Sequence, residues 1–296
     1  MGRRRELVPA ARRVGMVRSA FMGVAILIPP CAFASDIDTE HIFAFMIGSD
    51  IGYVGEREFQ TETTGRFGRS GGRYRMGEQE FELELVPSRD IRIELGSSVS
   101  AYDLAGIPGV TDRRGFAWQG ASLDIRYRFL DRETAPVGMT LAFGGDISRL
   151  DEGRAQRVNG LGAGLRLAFD REVAPGVIGA VNLLYQPEWT RFGDTGRMDR
   201  ESVIGASLGV MVQIRADVLL GGEARYMRRY EGIGLNELGG QALFVGPTAY
   251  FQLSQRTRLT ASWSAQVWGH SEGSAAALDL INFERHQARL VYGVNF

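Results

Sequence analysis

The sequence predicts an all-β protein, a transmembrane antiparallel up-and-down β-barrel of about twelve strands after a cleaved signal peptide. Three observations carry this expectation. Apolar residues recur at every second position in about a dozen segments, each near the roughly 9–11 residues that a tilted strand needs to cross a bilayer. The connections between these segments alternate between short and long, the asymmetry expected of a membrane barrel. The intervening positions are filled with glycine, serine and opposite charges, which suits a crowded polar lumen, while aromatic residues gather near segment ends.

Residues 1–34 read as a signal peptide. Arg3, Arg4, Arg5, Arg12, Arg13 and Arg18 make a basic leader, an apolar run from Phe21 to Ile28 follows, and Ala32-Phe33-Ala34 is an A-x-A cleavage site. The run is too short for a helical membrane span. Cys31 is the only cysteine and lies in the leader, which excludes a disulfide scaffold and a thiol nucleophile from residues 35–296. All 34 basic residues are arginine. The leader holds six of them and one glutamate, so the remainder carries a formal charge of about −6, with no sign of a nucleic-acid partner.

The barrel is expected to occupy 35–296. Its first strand begins near Ile42, where Phe43, Phe45, Ile47, Ile51 and Tyr53 alternate with Ala44, Gly48, Asp50 and Gly52. Only Ser35–Glu40 would precede that strand, too few residues for a plug. The same alternation marks strands around 81–85, 91–99, 123–129, 137–143, 161–169, 177–185, 204–214, 220–226, 243–251 and 259–267. Pro187 and Pro247 should mark bulges or strand ends, because proline cannot donate to a ladder. Short turns fall near 86–89, 131–136, 170–176, 215–217 and 254–257. Longer Gly- and Arg-rich loops fall near 60–73, 103–115, 150–159, 191–201, 228–240 and 269–285.

In the closing strand, Leu290, Tyr292, Val294 and Phe296 share one face, with Arg289, Gly293 and Asn295 between them. This ending on an aromatic residue resembles the terminal strand of Gram-negative outer-membrane β-barrels, and with the leader, strands and turns it resembles their small porin- or channel-like class. The resemblance implies an outer-membrane location with both termini in the periplasm. It also implies reading of that strand by the barrel-assembly machinery, contact with lipopolysaccharide, and passive diffusion of a small hydrophilic solute.

The residues themselves suggest where chemistry lies. Glu80, Glu82, Glu84, Arg92, Glu94, Asp124, Arg126 and Arg128 fall on lumen-facing positions of three successive strands and would form acid–arginine pairs across them. They would line a charge-selecting constriction or simply fill a narrow lumen. A second candidate is a hydrolase site acting on envelope lipid at the last long loop, with Ser271 as nucleophile, His270 or His286 as base and Glu284 nearby. Twelve-stranded outer-membrane hydrolases exist, but this spacing matches no motif of theirs. A barrel with no open pore is the third reading. His41 reads as an interfacial residue, and no ligand spacing supports a metal or a cofactor. Loop arginines such as Arg66, Arg69, Arg114, Arg191, Arg200 and Arg229 suit lipopolysaccharide phosphates.

Overall fold

In a computed structural model of the chain, residues 37–69 and 71–296 are described; the leader at 1–34 lies outside them. Twelve antiparallel strands close into one barrel: β1 (Arg57–Phe67), β2 (Arg73–Ser88), β3 (Ile91–Ala105), β4 (Arg113–Leu130), β5 (Gly138–Asp151), β6 (Gln156–Ala174), β7 (Val177–Phe192), β8 (Met198–Arg215), β9 (Val218–Glu231), β10 (Glu237–Gln252), β11 (Thr257–Ser271) and β12 (His286–Asn295). Each strand pairs with its sequence neighbours, and β1 meets β12 in register from Glu58↔Asn295 to Phe67↔His286, so no edge is left open. Strands run from 10 to 19 residues. Several therefore extend past the bilayer thickness and absorb much of what the sequence marks as long loops.

The alternation sorts side chains as a membrane barrel requires. Leu161, Leu165, Leu183, Leu208, Val245 and Val267 are exposed on the outside, while their strand neighbours turn polar groups or glycine inward. Aromatic pairs stand on the outer face: Phe59 stacks on Phe81, Phe67 on Trp263, and Tyr226 packs against Trp268. One end of the barrel, the turn end, carries the tightest connections, Arg89-Asp90 and Ala216-Asp217 among them; the other, the loop end, carries six connections, the longest spanning 272–285. The starts of β1 and the finish of β12 both lie at the turn end, where Phe296 N–H donates to the Arg57 carbonyl at 3.0 Å.

Two expectations need correction. The 42–53 stretch is not a strand, and β1 is formed instead by Arg57–Phe67, which reads as loop in the sequence. The twelve-strand count survives because one strand is lost and one gained. Residues 37–52 form an irregular segment inside the barrel, and the exposed Tyr53, Val54 and Gly55 lead from it to β1, so the expectation that no plug precedes the first strand is overturned. Ile37, Ile42, Phe43 and Met46 pack against Ile178, Ala180, Met211 and Leu219, which β7, β8 and β9 turn toward the lumen. Ile47 packs against Ala142 of β5 and Ala168 of β6, next along the wall. The second correction concerns proline. Pro187 and Pro247 sit inside β7 and β10, pair in register with β8 and β9, and make the ladder lapse only toward β6 and β11, without a register shift.

Candidate functional site: the charged lumen

Strand register decides how the lumen charges meet. Glu84 lies opposite Glu94, and Glu94 opposite Asp124, so β2, β3 and β4 carry a row of carboxylates. One step nearer the turn end Arg92 lies opposite Arg126. Like charges directly across a ladder repel, and here the neighbouring row of opposite sign relieves them. The pairs are thus diagonal, not directly cross-strand as the sequence suggests. Fully buried Arg92 bridges Glu40, Glu84 and Glu94, with Nε 2.8 Å from Glu94 Oε1. Arg126 reaches Glu94 at 2.8 Å and Asp124 at 3.4 Å. Arg258, from the neighbouring wall, binds Glu58 and donates to Gln60 at 2.7 Å. Glu82 accepts from Gln60, and Glu80 accepts from Ser122 Oγ at 3.0 Å.

Seven of the eight charges selected from sequence therefore converge. Arg128 does not: it donates to the Arg89 carbonyl at 2.7 Å and stands near Asp131 and Asp90 on the turn-end rim. Sequence reasoning misses Glu40, Glu58 and Gln60, because Glu40 sits on the internal segment and the others on β1, which the sequence marks largely as loop.

That segment is held by side chains from the wall. Its backbone has no ladder of its own, and buried N–H and C=O groups need partners. Glu223 accepts from the N–H groups of Ala44 and Phe45 at 2.9 and 3.0 Å. Asn182 accepts from Ile47 N–H at 2.8 Å and donates to its carbonyl at 2.9 Å. Asp170 accepts from Thr39 Oγ1 at 2.8 Å and from Ser49 Oγ at 2.9 Å. The Phe45 ring lies beneath the guanidinium carbons of Arg225 at 3.8 Å and Arg289 at 4.6 Å. A Cβ at Gly48 would collide with the Thr39 carbonyl, so this close return of the segment requires glycine.

Between the segment and the wall lies a mid-lumen cavity of about 320 Å³, lined by Glu80, Glu82, Asp124, Arg126, Arg166 and Arg289 among others. Larger vestibules lie at either end. The turn-end one measures about 710 Å³ and includes Asp38, Asp50, Arg132 and Arg256; the loop-end one measures about 740 Å³ and includes Asp146, Glu188, Glu201 and Arg229.

The hydrolase candidates are not brought together. His270 and Ser271 alternate across β11, with His270 exposed outside and Ser271 buried within. Ser271 Oγ has no hydrogen-bond partner. The His286 ring packs on Trp263, 5.5 Å between centroids. Glu284 stands 3.8 Å from both Arg66 and Arg69 and accepts from Gln287. His41 is not interfacial either: it lies in the lumen, its Nε2 3.5–3.7 Å from Glu40, Glu84 and Glu58. Among the loop arginines, Arg66 and Arg229 are already ion-paired with Glu78 and Glu201, and Arg69 lies over Tyr74, whereas Arg114, Arg191 and Arg200 are exposed. Leu290, Tyr292 and Phe296 are exposed on the outer face of the closing strand, with Val294 half-buried.

The chain belongs to a family of unknown function, DUF6662, whose model matches residues 35–296. No curated protein matches it. Among solved structures it is similar to an outer-membrane channel from Pseudomonas putida F1, with a TM-score of 0.57 and 11% identity over 88% of this chain and 100% of that one. It also resembles the translocator domain of the autotransporter NalP from Neisseria meningitidis, with a TM-score of 0.48 and 17% identity over 83% and 90% of the two chains. A third likeness is to the NanC porin, with a TM-score of 0.46 and 9% identity over 80% and 100%. At 11% identity the first likeness concerns the fold, which is that of an outer-membrane β-barrel.

Proposed function

We propose that this DUF6662 barrel is a narrow passive channel for small hydrophilic solutes. The observation that carries the reading is the mid-lumen cavity of about 320 Å³, polar and charged of both signs, between two wider vestibules. Juxtaposed carboxylates and guanidinium groups set up a transverse field that favours polar or zwitterionic solutes over apolar ones. The internal segment makes the passage narrow. In this reading the turn end faces the periplasm, the six connections of the loop end face outward, and both termini are periplasmic. The exposed Arg114, Arg191 and Arg200, at the loop end on the outer face, then meet lipopolysaccharide phosphates, for which guanidinium geometry is suited. The barrel-assembly machinery reads Leu290, Tyr292, Val294 and Phe296.

Single-channel recording of the refolded protein in a planar bilayer tests the proposal. A small, ohmic conductance is expected. A folded barrel that inserts without conducting would leave a structural barrel as the better reading. The hydrolase alternative gains nothing from the geometry, since Ser271 and His270 occupy opposite faces of β11.

A further inference from the structure

The surroundings of His41 are unusual for a histidine in a packed lumen. Its Nε2 is buried and has no hydrogen-bond partner among the described residues. Three carboxylate oxygens from three places in the chain surround it: Glu40 Oε1 at 3.5 Å, Glu84 Oε2 at 3.6 Å and Glu58 Oε1 at 3.7 Å. Glu84 has a side chain only 3% exposed, yet its Oε1 also lacks a partner. A tetrahedral ion with bonds of about 2.1 Å sets its donors about 3.4 Å apart. The observed separations from Nε2 are near that spacing and longer than direct hydrogen bonds, and the donor atoms of Glu40, His41 and Glu84 all lie within 4.8 Å of one another.

Charge points the same way. The guanidinium groups of Arg92, Arg126 and Arg258 are in direct contact with five carboxylates: Glu40, Glu58, Glu84, Glu94 and Asp124. The surplus is two negative charges, the charge of one divalent ion. Arg92 already touches Glu40 and Glu84, but a carboxylate oxygen has two lone pairs, and an arginine on the second is the usual outer support of a carboxylate ligand.

We propose that His41, Glu40 and Glu84, whose donor atoms all lie within 4.8 Å of one another, bind one divalent transition-metal ion with a fourth position left to solvent. One imidazole with carboxylates suits a borderline ion of the Zn²⁺ type better than Mg²⁺ or Ca²⁺, which take all-oxygen, higher-coordinate sites. Glu40 and His41 come from the internal segment, Glu84 from β2. A bound ion would thus latch the segment to the wall near the turn end, whatever the barrel conducts.

The test is Zn²⁺ titration of the chelator-stripped, refolded full barrel by calorimetry, with Mg²⁺ as competitor. One saturable site that Mg²⁺ does not displace is expected. His41→Ala and Glu84→Gln should each weaken it by roughly tenfold or more, while His270→Ala and His286→Ala should not. Co²⁺ loaded into the wild-type barrel provides a readout independent of any variant's folding, and should give the visible absorption of a tetrahedral site. Absence of a saturable Zn²⁺ site, a purely octahedral Co²⁺ spectrum, or undiminished binding by folded His41→Ala would overturn the proposal.

Discussion

At the scale of single residues, Arg126 and Arg128 differ far more than their adjacent inward positions suggest. Among the described residues Arg126 is the only ion-pair partner of Asp124, and it shares Glu94 with Arg92. Changing Arg126→Ser leaves Asp124 bare against the mid-lumen cavity. One uncompensated charge about 6 Å from a passing ion is worth roughly 1 kcal/mol at a partly aqueous dielectric, a factor of about five in relative permeability. Reversal potentials in a salt gradient should shift toward cation selectivity by that order, and the shift should fade near 1 M salt, where screening acts over ~3 Å. Arg128→Ser, on the rim, should change selectivity little; equal effects from the two would put the constriction elsewhere. Glu152, in the loop after β5, offers a pH handle outside the strands. Burial pushes its carboxyl up to about 7, with Arg66 opposing and Glu78 and Glu284 adding to the rise. A raised carboxyl favours the folded mouth in its protonated form. That contribution is therefore complete below the ordinary value of 4.5 and is lost as pH rises to about 7. The side chain is 36% exposed, so solvent moderates the energetic effect. Ionisation adds a negative charge beside the loop-end vestibule. Cation selectivity should rise with an inflexion near pH 7, and Glu152→Gln should abolish that inflexion while keeping the baseline.

At the scale of elements, what was legible and what was not has a physical cause. Eleven strands announce themselves because each carries a run of alternating apolar residues on its outer face. β1 does not. Its outward positions are Arg57, Phe59, Thr61, Thr63, Gly65 and Phe67, with aromatics only near the ends and threonine between, so its hydropathy contrast is faint. The 42–53 stretch misleads in the opposite way. Phe43, Phe45 and Ile47 alternate as a strand would, but Ile42, Ala44 and Met46 between them are also buried, which fits a segment enclosed on all sides. A signal for it was present: Ile178, Met211 and Leu219 are apolar residues at lumen-facing positions of β7, β8 and β9 and mark where the segment packs. The lumen charges of β2–β4 were legible from parity alone, whereas their diagonal pairing depends on register, which parity does not settle. Glu223 should be the main polar anchor of the segment. Removing it in Glu223→Ala takes away two charge-assisted hydrogen bonds to backbone, each worth roughly 1.5–3 kcal/mol. A cysteine placed by Ala44→Cys, buried in the folded barrel, should then react with a maleimide at least about tenfold faster. An unchanged rate would mean that apolar packing alone holds the segment. Deleting residues 37–53 should raise the conductance of the refolded barrel severalfold; an unchanged conductance would place the narrowest point outside this segment.

At the scale of the whole molecule, the barrel closes only when its first and last strands meet, and those strands are the shortest, at 11 and 10 residues. The seam nevertheless pairs along its full length, so stability of the finished barrel does not hinge on its final residue. The Phe296 ring is 66% exposed on the lipid face, and its N–H makes one backbone bond to Arg57. Deleting it removes at most ~1.5–3 kcal/mol of apolar burial from a barrel held by twelve strand-to-strand ladders. If Leu290, Tyr292, Val294 and Phe296 act as an assembly signal, the deletion should cut insertion into the outer membrane of cells far more than it cuts refolding yield or thermal stability in detergent. The two measurements separate the roles because detergent refolding needs the seam but no assembly machinery. Equal, mild losses in both would reduce Phe296 to one more lipid-facing side chain. Equal, large losses would make it a structural clamp on the seam, which a single backbone hydrogen bond and a mostly exposed ring do not lead one to expect.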